Sequence, residues 1–135
     1  MMCVSALAGG EGGLEWVRRQ AGPAAEPQPV RLSRGAAVDA LLGCAEACTR
    51  FADVRLHSVD AVEGLGAVRV VLDCADTCAD TVRALIRPGG DTTLLAALLS
   101  TCATACRTAA ARADQRCADA CRAAVRACLS LRTRH

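Results

Sequence analysis

The chain has 135 residues, ten of them cysteine, with 16 basic residues (all Arg) against 14 acidic ones and a formal net charge of +2. That length suits one domain with a real core, while the near-neutral charge and an aromatic content of 1% argue against a nucleic-acid reader, which needs a basic face and stacking rings. Ala, Leu and Arg favour helix, and no β-branched, aromatic alternation marks strands, so the expectation is an all-α domain.

Residues 1 to 32 are rich in Gly, Pro, Ala and Gln, with Pro23, Pro27 and Pro29 close together. This predicts a flexible N-terminal tail, and Cys3 sits in it apart from every other cysteine. The opening MMCVSALAGGEGGLEWVRR is a poor signal peptide: early positive charge is missing and acids and glycines interrupt its short apolar run. No segment holds about 18 uninterrupted apolar residues, so no membrane partner is expected. The reading is cytoplasmic, where thiols stay reduced and many cysteines point to metal before disulfides.

Residues 33–135 then divide into four helices. Ser33 is the expected N-cap of the first, which runs to about Leu56. Ser58 is the expected cap of a second, running to about Arg87, where Pro88-Gly89-Gly90 stops it. Asp91 or Thr92 caps a third through about Arg112, and a fourth follows from about Asp114 to Arg132. Short connections between long helices predict an antiparallel up-down-up-down four-helix bundle.

Four phrases share one spacing: CAEAC at 44–48, CADTC at 74–78, CATAC at 102–106 and CADAC at 117–121. Each lies on the apolar seam of its helix. Ala37, Leu41, Cys44, Cys48 and Phe51 step by four and three, as do Ala67, Val71, Cys74, Cys78, Thr81 and Leu85. The third helix gives Leu95, Leu99, Cys102, Cys106, Ala109 and Ala113; the fourth gives Cys117, Cys121, Ala124, Cys128 and Leu131. Cysteines therefore line the core. Measured from the Pro88-Gly90 turn, at about 1.5 Å per residue, the Cys74/Cys78 and Cys102/Cys106 pairs lie within about 3 Å of one level.

Neighbours at i and i+4 have Cβ atoms about 5–6 Å apart, too far for a disulfide. Two thiolates from those positions can clasp one Cu(I), which accepts few, soft ligands, whereas zinc requires four in a tetrahedron. Core filler is the bland alternative, since cysteine packs as a small hydrophobe. A disulfide reading also exists: Cys102, Cys106, Cys117 and Cys121 form a twin-pair hairpin resembling the stapled hairpins of mitochondrial import chaperones. His57 and His135 offer no Cys/His dyad, and Asp73, Asp76 and Asp119 read as exposed helix-face charges, so no catalytic role is expected.

From about Ala36 to Cys128 the chain resembles the bacterial cytosolic copper-storage proteins, most closely in LDCADTCADTVRALIR at 72–87 and then in CAEAC, CATAC and CADACR. The resemblance implies a four-helix bundle that assembles as a homotetramer and stores several Cu(I) ions per chain on inward thiolates. Ligand roles carry over to Cys44, Cys48, Cys74, Cys78, Cys102, Cys106, Cys117, Cys121 and Cys128. Phe51, Arg55, Ala67, Ala109 and Ala124 stand where the family usually continues with cysteine, and the family's His-rich connection is here the short AAARADQR of 109–116. Alternatives are a structural four-cysteine zinc-type site and a degenerate member acting as an interaction or scaffold bundle.

Overall fold

The computed structural model describes residues 32–58 and 61–132, and its helices are α1 (Arg34–Leu56), α2 (Ala61–Ile86), α3 (Thr92–Ala110) and α4 (Gln115–Arg132). No strand occurs among the described residues. The tail expected over residues 1–32 lies outside them apart from Leu32, as do Cys3 and His135.

Local chemistry sets the helix starts. Ser33 is extended, and its Oγ accepts the Ala36 amide at 3.0 Å. Asp91 Oδ1 accepts the Thr93 and Leu94 amides at 2.8 and 3.2 Å, and Asp114 Oδ1 accepts the Cys117 amide at 2.9 Å. Each bond satisfies an N–H that has no partner inside its helix. Between α2 and α3, Gly89 takes a φ of 66°, a left-handed conformation that glycine alone adopts without strain.

The Ser58 hydroxyl donates to the Arg55 carbonyl at 3.0 Å; its expected role as cap of the second helix turns on residues 59 and 60, which lie outside the described residues. One boundary differs from the sequence expectation. The third helix stops at Ala110, two residues before Arg112, and Asp114 then caps the next one.

Three long-range hydrogen bonds give the helix directions. Arg34 Nη1 donates to the Leu85 carbonyl at 3.0 Å, and the Leu32 amide donates to Ser130 Oγ at 3.0 Å. The start of α1 therefore lies beside the ends of α2 and α4. Arg132 Nη1 donates to Ser100 Oγ at 3.1 Å, which sets the end of α4 beside the start of α3. With α1–α2, α2–α3, α3–α4 and α4–α1 in contact, the result is an antiparallel up-down-up-down four-helix bundle.

The core is layered along the bundle axis. Leu41, Leu85, Leu99 and Leu131, all essentially inaccessible, close the end where α1 begins. Each contributes about 1.5–3 kcal/mol by burial. The cysteines fill the middle, and Phe51, Ala67, Val71 and Ala109 lie toward the other end. A second buried stripe of small residues (Ala52, Ala75, Ala103, Ala118 and Ala127) widens each inward face beyond the strict seam. By length and composition α3 could cross a membrane; its Leu95, Leu99, Cys102 and Cys106 are buried in the bundle, while Leu94 is exposed.

Candidate metal centre

Every expected ligand among the described residues points inward. Cys44, Cys48, Cys74, Cys78, Cys102, Cys106, Cys117, Cys121 and Cys128 are all buried, free thiols. The helical period places two sulfurs from each helix on the axis, and the antiparallel order brings opposite ends of neighbouring phrases together. Cys117 Sγ lies 3.5 Å from Cys48, and Cys121 lies 3.7 Å from both Cys48 and Cys44. Cys44 is 3.7 Å from Cys74, which is 3.6 Å from Cys106. Cys78 continues the run, 3.6 Å from Cys106 and 3.7 Å from Cys102. Cys128 is buried at the leucine end, and Cys102 is the neighbour that most raises its thiol. Thr81 follows there, fully buried, with Oγ1 donating to the Thr77 carbonyl at 2.7 Å.

The expected clasp inside each helix is seen at Cys44–Cys48, with sulfurs 4.0 Å apart. The other seven sulfur contacts within 4.0 Å cross between helices. With metal–sulfur bonds of about 2.3 Å, two ligand sulfurs sit about 3.8 Å apart at a tetrahedral angle, about 4.0 Å in a trigonal site and about 4.6 Å in a linear one. The cross-helix spacings therefore suit bent and three-coordinate thiolate sites built by two or more helices. They are far longer than the roughly 2.05 Å of a disulfide, and Cys117 faces Cys48 and not the cysteines of α3.

Two groups of four sulfurs lie within 4.8 Å of one another: Cys44, Cys48, Cys74 and Cys121, and Cys44, Cys74, Cys78 and Cys106. Both contain Cys44 and Cys74. The shared pair was not legible in the sequence, because the rotation of α1 against α2 decides it. The candidate acid–base groups fall elsewhere: Asp73, Asp76 and Asp119 are exposed. Asp119 accepts from Arg122 at 2.9 Å and Gln115 at 2.8 Å. His57 is exposed, its Nδ1 2.7 Å from the Asp53 carbonyl.

The dry interior disfavours thiolate in most of the run. Burial pushes Cys117 up to about 12 from the ordinary 9.0. Thiol hydrogen bonds push up Cys44 (to Cys106 foremost), Cys48 (to Cys121), and Cys78, Cys106 and Cys128 (to Cys102). Cys74 and Cys102, held first by Cys106, and Cys121, held first by Cys44, are pushed down. Each thiolate formed in the run also meets the charge of the last, which opposes a second ionisation beside it. A raised group binds its proton more tightly in the folded chain, so for Cys117 the stabilisation is complete below pH 9.0 and is lost as pH climbs toward about 12. The metal-free protein should therefore keep a constant melting temperature up to about pH 9 and lose it steadily above. Thermal melts across that range check this; a melting temperature that climbs with pH below 9 would give the weight to the lowered thiols.

A four-helix bundle with a continuous run of buried, reduced thiols along its axis defines a thiolate metal-binding protein, soft-metal by ligand chemistry. Residues 31–133 match the copper storage protein family, and the chain belongs to that family. Its structure is similar to that of a cytosolic copper storage protein from Streptomyces lividans carrying five coppers, with 31% identity and a TM-score of 0.69 over 74% of this chain and 92% of that one. The same Streptomyces lividans protein loaded with 10 copper equivalents gives 30% identity and a TM-score of 0.70 over 85% and 95% of the two chains. A variant of it with one histidine replaced by alanine gives 32% identity and a TM-score of 0.69. No curated protein matches the chain.

Proposed function

We propose that this protein stores or buffers Cu(I) in the cytoplasm, holding several ions per chain on Cys44, Cys48, Cys74, Cys78, Cys102, Cys106, Cys117, Cys121 and Cys128, without catalysing a reaction. The observation that carries this is the unbroken chain of sulfur contacts of 3.5 to 4.0 Å from Cys117 to Cys102. Such spacing lets a thiolate bridge two ions, so cargo packs as a cluster. Each bound thiol gives up its proton, which links loading to proton release. At two sulfurs per ion each Cu(I) displaces two protons, so loading adds one negative charge to the core per ion.

The zinc-type reading draws on the two four-sulfur groups, each of tetrahedral size. They share Cys44 and Cys74, so they cannot both be closed sites with four dedicated ligands, as structural zinc requires. The homo-oligomer is supported by exposed apolar side chains, Leu42, Val54, Val62, Leu65, Ile86 and Leu94, which a second copy would cover.

At two sulfurs per ion, the chain should take up at least about four Cu(I). Anaerobic titration against a competing Cu(I) chelator, with metal analysis of protein from copper-supplemented cells, measures this. Saturation at one equivalent or none sinks storage in favour of the scaffold reading, and stoichiometric zinc in the purified protein favours the structural site.

A further inference from the structure

The run of sulfurs has to be reached from solvent, and its two ends differ. The leucine layer seals the end beyond Cys102 and Cys128. At the opposite end Phe51, Ala67 and Ala109 occupy the axis, and the Arg55 guanidinium lies over the Phe51 ring at 5.3 Å. None of these side chains offers a soft ligand. His57, at the same end, is turned onto the Asp53 carbonyl. An ion moving along the axis would have to pass the Phe51 ring, with the Arg55 guanidinium beside it.

The side of the bundle is open where the end is closed. A groove of about 380 Å³ runs between α1 and α4, walled by Gly43, Ala47, Arg50, Asp114 and Ala120, and Cys117 lines it. Cys117 is also the terminal sulfur of the run, 3.5 Å from Cys48. Asp114 holds the first turn of α4 by accepting the Cys117 amide at 2.9 Å, so this cysteine sits on a fixed backbone. The rim carries Glu46 and Asp114 against Arg50 and Arg116, and Glu46 is paired with Arg50 at 3.1 Å. Balanced charge gives no steering to a bare cation, while the volume falls in the range of small-molecule sites.

From this geometry we infer that copper is loaded laterally, through the α1–α4 groove, by a Cu(I) complex of a small thiol, with Cys117 as first acceptor and Cys48 as second. This rests on the storage reading. The step is ligand exchange without redox: a Cu–S bond forms to Cys117, the Cu–S bond to the carrier breaks, and the Cys117 proton passes to the departing thiolate. Cys48 then repeats the exchange, and the next sulfurs, Cys121 and Cys44, lie within 4.0 Å of it.

Gly43 gives the test, because a Cβ added there meets nothing within 4 Å. In the full chain with Cys3→Ser, Gly43→Phe puts its ring into the groove while leaving every thiol ligand in place. Anaerobic loading from the Cu(I)–glutathione complex should slow about tenfold, since sulfur exchange depends on access, with final capacity unchanged. His57→Ala should load at the parent rate. Limited alkylation of the metal-free protein with iodoacetamide, mapped by mass spectrometry, should modify Cys117 before the other eight buried thiols, and Gly43→Phe should suppress that. An unchanged rate in Gly43→Phe, slowed loading in His57→Ala, or first modification at another thiol overturns lateral loading while leaving storage intact. A parent protein that takes up no copper overturns both.

Discussion

Cys44→Ala together with Cys74→Ala should remove half or more of the Cu(I) capacity, although it deletes two of nine buried thiols. Both four-sulfur groups contain this pair, so each falls from four sulfurs to two. Six of the seven remaining sulfurs are left in two clusters, Cys48, Cys117 and Cys121 on one side and Cys78, Cys102 and Cys106 on the other, with the 3.7 Å bridge between halves gone. Removing Cys117 and Cys128, the outermost thiols, deletes the same number but breaks neither group and should cost about a quarter of capacity or less, in proportion to ligands lost. Equilibrium titration of the two double variants compares them directly. Equal losses would mean that Cys44 and Cys74 hold no more ions than the outermost thiols do, and the cluster shared through this pair would be wrong. Non-additivity of this kind is expected for ligands that share an ion.

The reduced, metal-free chain should be strongly helical and melt cooperatively, with copper raising its melting temperature. Small zinc domains draw their folding energy from metal and are unfolded without it. Here the leucine layer and the alanine stripes make a packed core beside neutral thiols, which are tolerable as small apolar groups. The exposed ion pairs Arg50–Glu46, Arg83–Asp80 and Arg122–Asp119 add little. Leu99→Ala, at a fully buried position, should therefore cost about 2–5 kcal/mol with or without the Cys44/Cys74 pair. For a domain of this size that lowers the melting temperature by about 10 °C or more. Circular dichroism under reducing, chelating conditions decides it. A chain without helix in the absence of metal would make the metal part of the fold and put the structural-site reading in place of storage.

Helix number, the caps at Ser33 and Asp91, the glycine stop after Pro88 and the inward facing of all nine cysteines were legible in the sequence. Each depends on interactions within one or two turns: a side-chain oxygen reaching an amide three residues on, or a step of three and four that keeps one face apolar. The pairing of sulfurs is different in kind. A thiol contact of 3.6 Å between Cys74 and Cys106 depends on the rotation and height of two helices relative to each other, and those follow from how the leucines at one end and the alanines along the seam interlock. Spacing within a helix therefore identified the ligands and their chemistry. Tertiary packing alone decided that Cys44 and Cys74 are shared and that Cys117 lines a groove between α1 and α4, because these are contacts between residues far apart in the chain.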